Sequence, residues 1–180
     1  MLEHAKSCLL VVDIQEKLIK SIHDYQRMLA HCEWLVELAQ LLEVPIFVSE
    51  QYPKGLGTTV SVLKELLSKS TMIPKTAFSC VGDAECQKAI HALDKPQCVV
   101  IGIEAHVCIL QTVFDLLNAE KDVFVVEDAI SARNVSDKML AIERMRQMGA
   151  QIVSREMVFF EWLRDAKHPK FKELSKQFFV

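Results

Sequence analysis

Residues 99–117, VVIGIEAHVCILQTVFDLL, decide how the rest of the chain is read. Val99, Val100 and Ile101 form an unbroken apolar run, the pattern of a strand covered on both faces. Gly102 ends it, and Glu104-Ala105-His106 make a short polar patch. Beyond Cys108, the residues Ile109, Val113, Leu116 and Leu117 recur at helical spacing. Strand, glycine, polar turn and amphipathic helix in that order are half of a parallel βαβ unit. The thiol at the junction has three readings from local sequence: core packing, metal ligand or nucleophile.

The same alternation extends in both directions. Strands are expected at Cys8–Val12, Pro45–Ser49, Thr71–Ile73, Gln97–Ile101, Val123–Val126 and Gln151–Ser154. The third is short and runs at once into Pro74. Between them lie helical stripes: Leu29, Cys32, Val36 and Ala39, then Met139, Ile142 and Met145, the latter closed by Gly149. Pro169 suits a final helix start, with Phe171, Leu174 and Phe178 as its buried face. No repeat, low-complexity tract or linker interrupts the pattern, so residues 1–180 read as one domain. Six strands joined by helices imply right-handed crossovers and a three-layer α/β/α architecture around a Rossmann-like parallel sheet. Such sheets bind ligands beyond the carboxyl ends of their strands. The positions to inspect are therefore Asp13, Ser49–Tyr52, Lys75, Glu104–Cys108 and Asp128.

Bulk properties narrow the function classes. The 180 residues are 51% hydrophobic and 25% charged, a globular composition able to bury a substantial core. A formal net charge of −3, without any Lys/Arg-rich run, argues against nucleic acid as a partner. The apolar run at 8–12 is too short for a secretory signal, and no apolar stretch is long enough to span a membrane. The expectation is a soluble, cytoplasmic protein. Its six cysteines are too sparse for a disulfide scaffold, and most read as small buried hydrophobes.

Each strand-end candidate has an ordinary reading beside a chemical one. Asp13 and Glu16 have capping-box spacing, although a cap can also face a cleft. Lys75 follows Pro74, and most loop lysines are solvated. Cys108 has the strongest case. A helix starting near His106 would favour a thiolate by up to about 2 kcal/mol, or roughly 1.5 pKa units. From a starting pKa near ~8.5 that barely ionises the thiol. A lysine ammonium at about 4 Å adds roughly 4 kcal/mol at an effective dielectric of ~20, so a nearby cation or base decides the matter. His106 is an awkward base, because residues two apart on a helix point to different faces. No H-E-x-x-H, paired C-x-x-C or D-x-H metal element follows a strand. There is no G-x-S-x-G elbow or Walker loop, and the Gly55–Gly57 pair lacks the third glycine of a dinucleotide fingerprint.

Taken together, LLVVDIQEKL (9–18), EQYPKGLGTTV (50–60), PKTAFSC (74–80), the stretch 99–117, VVEDAISAR (125–133) and RMRQMGAQIVSREMVFFEWL (144–163) resemble the isochorismatase-like cysteine hydrolases. The likeness is strongest to the isochorismatase-domain-containing branch, whose substrates are mostly unassigned. It covers nearly the whole chain in order.

The resemblance implies the isochorismatase-type hydrolase fold and a Cys–Asp–Lys triad. Asp13 would take the thiol proton, Lys75 would hold the pair in its charged arrangement, and Cys108 would attack a carbonyl. The family also carries a cis peptide that maps to Ile103–Glu104, and an oxyanion hole from the Glu104 and Cys108 N–H groups. Gln15, Gln51 and Tyr52 are candidate substrate-binding residues. The implied activity is amide or related acyl hydrolysis of a small molecule through a thioester, without cofactor or metal, in a homo-oligomer. One departure stands out: SEQYPKG at 49–55 replaces the D-x-H segment of metal-binding nicotinamidases. The alternative is a non-catalytic binding or scaffold protein retaining the pocket.

Overall fold

A computed structural model describes residues 1–179. Six strands form one wholly parallel sheet: β1 (Ser7–Val12), β2 (Ile46–Gln51), β3 (Met72–Lys75), β4 (Gln97–Gly102), β5 (Asp122–Ile130) and β6 (Gln151–Val153). Their order is β3-β2-β1-β4-β5-β6, so the chain winds outward first one way and then the other. The crevice of such a doubly wound sheet opens where the winding reverses, between the carboxyl ends of β1 and β4. Asp13 follows β1 and the Cys108 turn follows β4. All six expected strands are present, each longer, shorter or displaced by only a few residues except β5, which runs on to Ile130. Pro74 proves compatible with a strand because β3 lies at the sheet edge, where a missing N–H costs little.

Alternate residues of each strand enter opposite layers. Leu9, Val11, Val48, Val99, Ile101 and Phe124 pack against α2 (Tyr25–Leu41), α4 (Ser61–Leu66), α8 (Arg155–Leu163) and α9 (Phe171–Phe179). Leu10, Val12, Phe47, Val100 and Val125 pack against α5 (Ala84–Ala92), α6 (Leu110–Asn118) and α7 (Val135–Gln147). Two short helices, α1 (Glu16–Ile19) and α3 (Pro53–Leu56), follow β1 and β2. On α9, Leu174 is buried while Phe171 and Phe178 pack on the same core less completely. The α7 stripe differs from expectation. Ala141, Ile142 and Met145 face the sheet, but Met139 is 65% exposed. Met139 lies more than a quarter-turn off the Ala141–Met145 face, so the apolar spacing named the helix without its exact orientation.

Gly102 is the tightest point of the crevice. Its φ is +121°, and a Cβ there would collide with the Val12 carbonyl group of β1. Only glycine lets β4 pass this close to β1 before turning towards Cys108. Gly102→Ala combines that collision with an unfavourable dihedral. We expect a loss of roughly 2–6 kcal/mol, read as a lower urea midpoint at unchanged slope.

Candidate active site

Local sequence allowed Asp13 to be a helix cap, and it is not one. Gln15 occupies the cap position of α1, and no side chain caps that helix. Asp13 instead adopts a left-handed conformation (φ +54°) that turns its carboxylate across the crevice. Aspartate tolerates this region better than most residues. One carboxylate oxygen accepts a 2.7 Å hydrogen bond from Ser49 Oγ, at the carboxyl half of β2. The other accepts a 2.7 Å bond from Lys75 Nζ.

Lys75 is the last residue of β3, not a loop residue, and its side chain is wholly buried. Its ammonium is fully occupied. Besides Asp13 it donates to Gln51 Oε1 at 2.6 Å, to the Phe78 carbonyl at 2.9 Å and to the Ala77 carbonyl at 3.2 Å. Burial is the largest influence on this ammonium and opposes its charge. Asp13, then Cys108 and Cys80, more than offset it, and the lysine pKa is held above its ordinary value.

Cys108 lies on a π-helical turn, Ala105–Ile109, that leads into α6. Wide turns of this kind recur at functional sites because they displace one side chain from the regular helical ladder. Of the three groups, Cys108 alone has appreciable access, at 6% of its surface against 0% for Asp13 and 2% for Lys75. The thiol pKa lies well above its ordinary value. Burial is the main cause, followed by the Asp13 charge, with Lys75 acting in the opposite sense. Local sequence left the state of the thiol to a nearby cation or base. The cation is already neutralised by Asp13, so Cys108 rests as a thiol beside a carboxylate able to receive its proton.

The turn before Cys108 supplies two backbone donors. The Ile103–Glu104 peptide is cis. Among the described residues the Glu104 N–H has no backbone acceptor, and the Cys108 N–H has none outside its own turn. The Glu104 carboxylate points elsewhere, accepting from Arg133 Nε at 3.0 Å. His106 is turned to α7: its Nε2 lies 4.0 Å from Asp137, and its buried Nδ1 has no partner among the described residues.

The three residues suggested for substrate binding sit in different settings. Gln15 is fully buried and clamps the loop after β2. It donates to the Gln51 carbonyl at 3.0 Å and the Gly57 carbonyl at 2.6 Å, and accepts from the Gln51 N–H at 2.7 Å. Gln51 holds Lys75 and donates to the Thr76 carbonyl at 2.9 Å. Tyr52 is 54% exposed and borders a cleft of about 340 Å³ with Pro53, Pro74, Thr76 and Asp83. A separate cleft of about 260 Å³ between α2 and α7 is lined by none of Asp13, Lys75 and Cys108.

Ser49 is among the strand-end positions named from sequence, whereas its partner Cys80 is not. The Cys80 thiol donates to Ser49 Oγ at 3.5 Å, and Ser49 in turn donates to Asp13. Burial, then Asp13, pushes the Cys80 thiol up to about 11. Strand register makes the contact, since Ser49 pairs with Val12 beside Asp13. No group of three or more His, Cys, Asp or Glu among the described residues could hold a metal ion. Ser49→Ala removes a hydrogen bond to a charged group worth about 1.5–3 kcal/mol. We expect turnover to fall roughly tenfold to a hundredfold with the fold retained, measured as kcat/KM beside circular dichroism.

This architecture is shared. A family model described as Isochorismatase domain matches residues 7–157. Isochorismatase domain-containing protein 2 of Xenopus laevis is 41% identical over 172 residues, 94% of this chain and 82% of its own length. The structure of a MAR1 ribonuclease from Caenorhabditis elegans superposes with a TM-score of 0.92 at 37% identity, covering 99% of this chain and 92% of that one. The YcaC gene product of Escherichia coli, described as an octameric hydrolase of unknown specificity, superposes at 0.88 over 98% and 95% of the two chains. Its 24% identity makes that a likeness of fold.

Proposed function

The chain belongs to the isochorismatase family, and from that premise we propose that it is a cysteine-dependent hydrolase of small amides or related acyl compounds. The observation that carries the reading is the Asp13 carboxylate, held by Lys75 and Ser49 beside the one partly accessible thiol of the crevice. Cys108 transfers its proton to Asp13 as sulfur attacks the substrate carbonyl carbon. The resulting oxyanion is met by the Glu104 and Cys108 N–H groups. Asp13 then returns the proton to the leaving nitrogen, the C–N bond breaks, and a thioester remains on Cys108. Water, losing its proton to Asp13, attacks the thioester and regenerates the thiol. Lys75 keeps Asp13 oriented and offsets its charge throughout.

A raised resting thiol pKa makes a specific prediction. Iodoacetamide should label Cys108 in the free enzyme more slowly than a model thiol at pH 7 to 8, with the rate still rising above pH 9. A labelling midpoint below about 8.5 would reveal a resident thiolate and overturn the proton-transfer step.

Substrate identity is tested by a panel of small amides, nicotinamide, carbamoyl compounds and, given the description of the nematode neighbour, RNA. Rapid quenching followed by intact mass measurement should find an acyl group on Cys108 during turnover. Hydrolysis without such an adduct, at full rate in Cys108→Ala, would sink the mechanism. Absence of turnover with any acyl compound, alongside tight reversible binding, would favour the scaffold reading. Val135, Met139 and Leu140 form an exposed apolar stretch on α7, which supports self-association. Light scattering should give a mass above that of one chain.

A further inference from the structure

At the opposite end of β1 and β4 from Asp13, two further thiols face each other. Cys8 and Cys98 are each the second residue of their strand and are paired directly in register. Both project into the layer that contains α5, α6 and α7. The Cys8 thiol faces two acceptors for its one hydrogen, Cys98 Sγ at 3.8 Å and the Gln97 carbonyl at 3.5 Å. Among the described residues no other pair of cysteine sulfurs is within hydrogen-bonding reach. Cys32 contacts Met28 and the Ala129 carbonyl, and Cys80 contacts Ser49.

We propose that Cys8 and Cys98 are a redox-active dithiol that a peroxide oxidises to an intrachain disulfide joining β1 to β4. Neighbouring strands lie about 4.7–4.9 Å apart, inside the Cα separation of roughly 4.4–6.8 Å that a disulfide accepts. The sulfurs need only rotate towards each other, without a change of register. Both thiols are buried, and burial opposes ionisation of each. The Cys98 sulfur, which accepts from Cys8, is assigned the first attack and Cys8 the resolving one.

The chemistry balances with a peroxide as oxidant. Cys98 thiolate attacks a peroxide oxygen, the O–O bond breaks, and hydroxide or alkoxide leaves to form Cys98 sulfenic acid. Cys8 loses its proton and attacks the Cys98 sulfur. The S–O bond breaks, the S–S bond forms, and the departing hydroxide takes up the proton as water. Two thiols have then given two electrons to one peroxide. None of these steps uses Asp13, Lys75 or Cys108, so the proposal goes beyond hydrolysis and stands apart from it.

Native protein is exposed to excess hydrogen peroxide, quenched with catalase, unfolded with an alkylating agent and digested without reduction. The expected product is a peptide pair cross-linked through Cys8 and Cys98, with an intact mass lower by two hydrogens. Dithiothreitol should restore both thiols. The cross-link should vanish in Cys8→Ala and in Cys98→Ala, and persist in Cys108→Ala. Alkyl label on both Cys8 and Cys98 after oxidation would overturn the proposal. So would Cys98 sulfinic acid without a cross-link, or a cross-link that instead joins Cys80 to Cys108.

Discussion

Cys108→Ala is expected to abolish turnover, by a factor of at least about 10⁴, while leaving the fold in place. Removing a nucleophile eliminates the covalent route, and residual catalysis is limited to binding and oxyanion contacts. The structural cost is small by comparison. Asp13 keeps Ser49 and Lys75 as its hydrogen-bond partners when the thiol is removed. Loss of one sulfur from a nearly buried site costs on the order of 1 kcal/mol. Kinetics and thermal unfolding on the same preparation check both halves. An active Cys108→Ala protein, with activity following the purified chain, would remove the nucleophile assignment. An inactive but unfolded one would be set aside in favour of Cys108→Ser, which keeps a polar group of similar size.

Lys75→Met should produce a large stability loss. Lys75 and Asp13 are wholly buried, and the ammonium is the only cation bonded to that carboxylate among the described residues. Taking it away strands a carboxylate out of water with Ser49 as its remaining side-chain donor. Breaking a buried pair from one side typically costs about 3–5 kcal/mol. For a domain of this size each kcal/mol shifts Tm by roughly 2–4 °C, so a drop of about 6–20 °C is expected. The double variant Asp13→Asn/Lys75→Met should recover part of that loss, because neither charge is left alone. Recovery in stability without recovery in turnover would separate the two roles of the pair. A single Lys75→Met variant as stable as wild type would mean that the buried pair contributes no net stability.

Much of the fold was legible because parallel strands covered on both faces are unbroken apolar runs. Cys8–Val12, Gln97–Ile101 and Val123–Val126 carry that signature, and each is a central or near-central strand. Where the local signal was ambiguous, two readings stayed open or the orientation was missed. Asp13 and Glu16 have the spacing of a cap, but the chain turns left-handed at Asp13 and commits the carboxylate to residues from two other strands. Met139 fits an apolar stripe by spacing, yet helix orientation is set by what the sheet leaves uncovered.

The sequence by itself determined the alternation of strands and helices, the parallel α/β class and the strand-end positions among which Asp13, Lys75 and Cys108 fall. Those properties are local: apolar periodicity, turn residues and residue type. Only the tertiary structure decided that Asp13, Lys75 and Cys108 meet, that Ser49 and Gln51 hold them, and that Cys108 rests as a thiol. Strand order and register bring together residues 62 positions apart in sequence, and burial then sets which of them keeps its proton. The same register places Cys8 against Cys98, 90 residues away, where neither local stretch hinted at a partner.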